Sequence, residues 1–118
     1  MSDRLDAWMA GYLTAWRSND PDDIVALFTE DAVYDPQTAT GTWSGHEGIV
    51  AGWLASADAP DDWTFTWEPL AETDDLAVVT GMTVYEEPRS YRNLWEIHFA
   101  GDGRCHRFVE WFIAIPPT

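Results

Sequence analysis

The sequence predicts an α+β fold: three N-terminal helices packed on a curved antiparallel sheet. Two periodicities predict it. Up to Ala57 apolar residues recur at helical spacing, and from Trp63 onward they alternate with a period of two. The order of segments, helices first and then strands joined by short polar links, argues for α+β rather than alternating α/β. At 118 residues the chain is long enough for one real core. With no internal repeat or low-complexity tract, one domain spanning 1–118 is expected.

Residues 3–18 are expected to form the first helix, with Leu5, Trp8, Met9, Tyr12, Leu13 and Trp16 as one apolar stripe and Ser2 as N-cap. Asp20-Pro21 restarts the helix, because Asp caps well and Pro lacks only an N–H that has no partner there. Asp22 and Asp23 suit the positive end of that helix, which is predicted to carry Ile24, Val25, Leu27 and Phe28 inward and to end near Thr29. Residues 31–35 read as a short strand stopped by Pro36. A third helix is predicted from Gly45-His46, burying Ile49, Val50, Trp53, Leu54 and Ala57, and residues 58–62 (DAPDD) break it. Four strands follow at about 63–71, 76–86, 90–100 and 104–114, linked through Thr73-Asp74-Asp75, Glu87-Pro88-Arg89 and Asp102-Gly103. Asp-Gly is a tight-hairpin signal because both positions tolerate positive φ.

Composition excludes several functions. The apolar fraction of 46% with 8 Trp argues against disorder. The net charge of −15, with arginine as the only strongly basic residue type, excludes a nucleic-acid backbone binder and disfavours an anionic membrane surface. No apolar run reaches the ~18 residues of a membrane span, and the charged, helix-like start is unlike a signal peptide. A cytoplasmic protein is expected. Cys105 is the single cysteine, so neither an internal disulfide nor a Cys-rich metal site is expected. His46-Glu47 lacks HExxH spacing, and His98 and His106 are expected on opposite sheet faces, so no metal is expected. No phosphate loop, nucleophile elbow or dinucleotide fingerprint is present, and no cofactor is expected.

A two-residue turn at Asp102-Gly103 would set Trp95 across from Glu110, Ile97 from Phe108 and Phe99 from His106. Tyr91, Asn93, Trp95, Ile97 and Phe99 then share the helix-facing side with Phe108, Glu110 and Phe112, and Cys105 faces outward. A bulge near the turn would shift these pairs. Glu110, among Phe and Trp, should raise its pKa or find a partner, such as His106 or a tryptophan N–H. Glu96 and Arg107 are expected to pair on the outer face. The tryptophans are mostly core, yet their number suggests a wide aromatic cavity. Its wall is expected to include Trp16, Trp53, Tyr91, Asn93, Trp95, Phe108 and Phe112.

Four short stretches, in order, carry a resemblance: Asp20 to Phe28 (DPDDIVALF), Glu30 to Val33 (EDAV), Gly45 to Ile49 (GHEGI) and Asp102-Gly103-Arg104. The chain resembles the nuclear-transport-factor-2-like superfamily, with its ketosteroid isomerases and SnoaL-like polyketide cyclases. The resemblance covers nearly the whole chain and implies a cone-shaped α+β barrel, often dimeric through the outer sheet face, where Leu94, Val109 and Trp111 are expected. Against the isomerases, Tyr12 stands where their oxyanion tyrosine lies, and Asp35 of Asp35-Pro36 matches their catalytic base after a one-residue deletion. Trp95 replaces their second, acidic donor. Against the cyclases, Glu110 stands where a catalytic Asp lies, and Phe108 replaces a His.

The implied activity is cofactor-independent acid/base chemistry on a small apolar or polycyclic carbonyl compound: an isomerase, cyclase or dehydratase. Asp35 or Glu110 would be the base and Tyr12, with Trp95, the oxyanion donor. Asp35 as a turn residue and Tyr12 as a core residue are the competing structural readings. The competing function is a non-catalytic small-molecule-binding or dimerisation module of the same fold.

Overall fold

The computed structural model describes residues 2–38, 41–59, 61–86 and 89–116. Helix α1 (Asp3–Ser18) starts where the Ser2 hydroxyl accepts from the Leu5 amide, and ends at Asn19 in the left-handed region (φ 51°). Leu5, Trp8, Met9 and Tyr12 are buried along its stripe. Helix α2 (Pro21–Val25) is capped by Asp20, whose carboxylate accepts from the Asp22 amide at 2.9 Å.

The second helix is shorter than predicted. Strand β1 (Phe28–Asp35) begins at Phe28, which pairs with Cys105 in the sheet, so the apolar run at Leu27-Phe28 serves strand pairing instead of a further helical turn. Strand β2 (Trp43–Ser44) pairs antiparallel with β1 and leads into α3 (Gly45–Ala55). His46, at the start of α3, bonds its Nε2 to the Phe28 carbonyl at 2.8 Å, a structural tie. Ile49 and Trp53 are buried on α3; Leu54 and Ala57, predicted to be buried, are exposed.

Strands β3 (Trp63–Glu72), β4 (Leu76–Tyr85), β5 (Ser90–Phe99) and β6 (Cys105–Ile115) form the antiparallel meander. Glu87 and Pro88 of the predicted β4–β5 link lie outside the described residues. Strand β1 joins β6 in parallel, which gives a mixed sheet in the order β2-β1-β6-β5-β4-β3. The fold is a curved six-stranded sheet with three helices, in the α+β class.

The last hairpin keeps its predicted register by an unpredicted route. Its turn is wider: the Gly103 amide bonds the Ala100 carbonyl, the Ala100 amide bonds the Arg104 carbonyl, and Gly103 takes φ 86°. Phe99 therefore pairs with Cys105 rather than His106. A bulge between Cys105 and Arg107 absorbs the extra residue, and from His98–Arg107 onward the pairs are as predicted, including Trp95 with Glu110. Cys105 is thereby buried instead of outward, and burial pushes its thiol up to about 12. His98 and His106, predicted on opposite faces, lie with ring centroids 6.1 Å apart. Arg107 pairs with Asp35 (3.8 Å), not Glu96; Glu96 instead accepts from the Trp111 indole (2.7 Å) and contacts His98.

The core is aromatic. Trp8 packs on Phe28, Phe99 and Phe108, and Tyr12 on Trp53, Trp95 and Phe108. Gly81 leaves β4 flat enough for Phe65 to lie over it: a Cβ there would come within 2.6 Å of the ring, which stacks on Trp95 at 4.8 Å. This layer forms the floor beneath the cavity.

Candidate active site

Above that floor a cavity of about 470 Å³ opens between the helices and the widening end of the sheet. Tyr12 and Trp16 of α1 and Trp53 of α3 form its helix side, and Tyr34 of β1 lines it from the sheet. Thr83, Tyr91, Asn93, Glu110 and Phe112 form its sheet side. Trp43 closes one wall, stacked on Tyr34 at 4.5 Å and pressed on the α3 backbone at Gly52.

Glu110 reaches the cavity because β6 alternates strictly beyond the bulge, placing Phe108, Glu110 and Phe112 on one face. Its Oε2 accepts from the Trp95 indole N–H at 3.1 Å. Burial raises its pKa to about 7, and the nearby Asp58 charge adds to the rise. The Trp95 bond and the Tyr34 hydroxyl oppose it by favouring the charged form. At neutral pH this carboxyl is shared between its two protonation states, the condition suited to taking up and returning a proton.

Tyr12 and Tyr34 join hydroxyl to hydroxyl at 2.8 Å, and either can donate. Burial holds both phenols well above their ordinary pKa, and the Glu110 charge adds to it, so both remain neutral donors. Asp58 lies at the rim, just beyond α3. Its Oδ2 accepts from the Trp16 indole and the Tyr85 hydroxyl, each at 3.1 Å. Burial and Asp58 together raise the Tyr85 pKa. The Thr83 hydroxyl donates to Asn93 Oδ1 at 2.8 Å, and both residues line the cavity.

Of the predicted site residues, the structure brings Tyr12, Trp16, Trp53, Tyr91, Asn93, Glu110 and Phe112 together at the cavity wall. It does not bring Asp35 there. Ala32, Tyr34 and Pro36 point inward along β1, and Asp35 takes the other face. There it accepts from the Gln37 amide at 2.9 Å and pairs with Arg107. A one-residue deletion reverses which face a strand residue takes, so Tyr34 lines the cavity in place of the predicted base. Trp95 and Phe108 are also corrected. Both are fully buried in the floor, and the single Trp95 N–H is committed to Glu110, leaving no donor for a substrate oxygen.

Sequence reasoning missed Tyr34, Trp43, Asp58, Thr83, Tyr85 and Arg89 at the wall. The alternation of Ala32, Tyr34 and Pro36 was the available signal for Tyr34. Asp58 carried none, because its partners are 42 and 27 residues away. Among the described residues no cluster of His, Cys, Asp and Glu is placed to hold a metal ion, and no helix is long and apolar enough to cross a membrane.

The family model described as SnoaL-like domain matches residues 9–113. The chain belongs to the SnoaL-like domain family. No curated protein matches this SnoaL-like chain significantly. Among solved structures it is similar to a ketosteroid isomerase-like protein from Erwinia carotovora atroseptica (20% identity, TM-score 0.68, 94% of each chain covered). It also resembles an NTF-2 like protein of unknown function from Burkholderia xenovorans (14% identity, TM-score 0.73, covering 93% of this chain and 83% of that one). A computationally designed 17-OHP binder is a third match (11% identity, TM-score 0.68, covering 97% and 100%). At these identities the structures share the fold with this SnoaL-like domain, and the chemistry has to be argued from the cavity.

Proposed function

We propose that this SnoaL-like domain is a cofactor-independent acid/base enzyme, an isomerase, cyclase or dehydratase, acting on a small apolar carbonyl compound held in the cavity. The observation that carries the proposal is Glu110: a carboxyl with a pKa of about 7, lining an aromatic cavity beside a neutral phenol pair.

In this reading Glu110 removes a proton from the carbon next to the substrate carbonyl and returns it, or an equivalent one, at another position. Negative charge then develops on the carbonyl oxygen. The Tyr34 hydroxyl donates to that oxygen, with Tyr12 donating to Tyr34 behind it, and the Asn93 amide nitrogen is a second donor. The Trp95 N–H holds the Glu110 carboxylate in place before it takes the proton. The aromatic surroundings keep the pKa of the carboxyl raised.

The test needs no knowledge of the natural substrate. A panel of cyclic aryl ketones is incubated in heavy water, and hydrogen–deuterium exchange at the carbon next to the carbonyl is followed by NMR. Catalysed exchange that drops by at least ~100-fold in Glu110→Gln, and by less in Tyr34→Phe, fits the typical size of general-base catalysis. Saturable binding of the ketones with no catalysed exchange would favour the non-catalytic binding module.

A homodimer through the outer sheet face is part of the proposal. Trp111 and Ile113, 49% and 70% exposed, extend an apolar outer face beyond Leu94. Val109 is already buried within the chain and is not available to a partner. Light scattering checks this: a monomer at micromolar concentration removes the dimer.

A further inference from the structure

Among the described residues the carboxylates of the cavity have no cationic partner. Asp58 and Glu110 take part in none of the ion pairs among the described residues. The side chains that hold them, Trp16, Tyr85 and Trp95, are neutral donors. Trp16 and Tyr85 both bond Asp58 Oδ2 and Trp95 bonds Glu110 Oε2, with the neutral Tyr34 hydroxyl a further donor to Glu110. The two charges also sense one another, since Asp58 makes Glu110 harder to ionise.

The surrounding wall is of the kind that holds organic cations. Tyr34, Trp43, Trp53, Tyr85 and Tyr91 line it, and aromatic faces attract a cation through their quadrupole. The mouth already displays this preference. The Arg89 guanidinium lies 4.0 Å from the Tyr85 ring centroid and 5.9 Å from that of Tyr91. Arg89 is the one basic side chain in the described lining, and it stacks at the rim without pairing with either carboxylate. The net charge of −15 attracts cations from solution toward any opening.

We propose that the cavity is built for an organic cation, a ligand whose substituted ammonium group sits against the tyrosine and tryptophan rings, close to the Asp58 and Glu110 carboxylates. The proposal deepens the reading of the cavity as a ligand site. Combined with the acid/base chemistry, it narrows the substrate class to amine-bearing carbonyl compounds. A neutral ligand would leave the repulsion between the two carboxylates in place; an ammonium group relieves it.

The experiment compares two isosteres, phenyltrimethylammonium and tert-butylbenzene, which differ in one atom and one charge. Quenching of intrinsic tryptophan fluorescence is titrated at pH 8 and at pH 5.5. The groups that face Glu110 are Tyr12 from α1, Tyr34 from β1, Asp58 after α3, Tyr85 from β4, and Arg89 and Tyr91 at the start of β5. Tyr12, Tyr34 and Tyr85 stay neutral over this range, and Glu110, at about 7, is the group whose titration the two pH values probe.

The expected result is that phenyltrimethylammonium binds at least ~10-fold more tightly than tert-butylbenzene at pH 8. The preference should shrink at pH 5.5, where Glu110 is protonated, and should also shrink at pH 8 in Asp58→Asn. Asparagine can still accept from Trp16 and Tyr85, so that variant keeps the rim intact. Equal or tighter binding of tert-butylbenzene overturns the cation proposal and leaves the acid/base reading standing. Binding of neither probe overturns the proposal together with the ligand-site reading beneath it. A preference unchanged both by pH and by Asp58→Asn overturns the assignment to these carboxylates.

Discussion

The Glu110 carboxyl makes a stability prediction that is independent of any substrate. Its pKa is about 7 in the folded chain against an ordinary value of 4.5. Because the folded value is raised, this group favours folding most strongly below pH 4.5, where both states hold the proton. That contribution is lost as pH rises through 7, where the folded chain must ionise a buried carboxyl. A rise of this size corresponds to roughly 3 kcal/mol. Because the side chain borders a cavity open to water, we expect about 2–3 kcal/mol of this to be realised.

Glu110→Gln removes the titration while keeping the shape and an oxygen that can accept from Trp95. The contributions of carboxylates far from the cavity cancel in the difference. Urea unfolding followed by tryptophan fluorescence, at several pH values from 4.5 to 8, measures that difference. The stability of the variant relative to wild type should rise by about 2–3 kcal/mol across the range, with the steepest change between pH 5 and 7. In thermal unfolding the same effect is a relative shift of about 10 °C for a domain of this size. A difference that stays flat with pH refutes the claim that the cavity holds Glu110 in a raised-pKa environment.

Three further perturbations follow from the geometry. In Gly52→Ala the new Cβ would lie 2.3 Å from the Trp43 ring, so the ring must move; overpacking of about 1–3 kcal/mol outweighs the gain of about 1 kcal/mol in helix propensity, and ligand affinity should fall ~10-fold or more together with a lower Tm. Trp95→Phe removes the N–H that holds Glu110 and shrinks a fully buried side chain, which should cost about 1–3 kcal/mol in urea unfolding and move the Glu110 titration above 7. Asp35→Asn should leave catalysed hydrogen–deuterium exchange within about twofold of wild type, since its side chain faces Arg107 and the Gln37 amide; a loss comparable to that of Glu110→Gln would restore it as the base.

The fold was legible because its long elements carry strong periodicity. The stripe of α1 and the inward alternation of β5 and the later part of β6 both stand in the structure as read. The errors arose where tertiary pairing overrode local pattern. Phe28 continues an apolar run that suits a helix, yet Cys105 draws it into the sheet. The Asp102-Gly103 signal marked the hairpin correctly but not its loop length, and the compensating bulge put Cys105 inside.

The site was half legible, for physical reasons. Glu110 stood out as a carboxylate on an apolar strand face, and Tyr12 lay on the helix stripe above it. Asp35 was misplaced because a family correspondence was carried across a deletion that changes strand parity. Asp58 was read as part of a loop break. Its role depends on Trp16 and Tyr85 converging on it from α1 and β4, which no local pattern encodes.

A Glu110 carboxyl half-protonated near neutral pH is the proton carrier in the proposed reaction. Carbon-13 NMR titration of protein labelled at the glutamate carboxyl carbon tests this most directly. One resonance titrating with a midpoint near 7, absent in Glu110→Gln and displaced by bound ligand, is the predicted result. If every glutamate carboxyl titrates below about pH 5, close to its ordinary value, Glu110 is an ordinary solvated acid and the proposed proton transfer has no carrier.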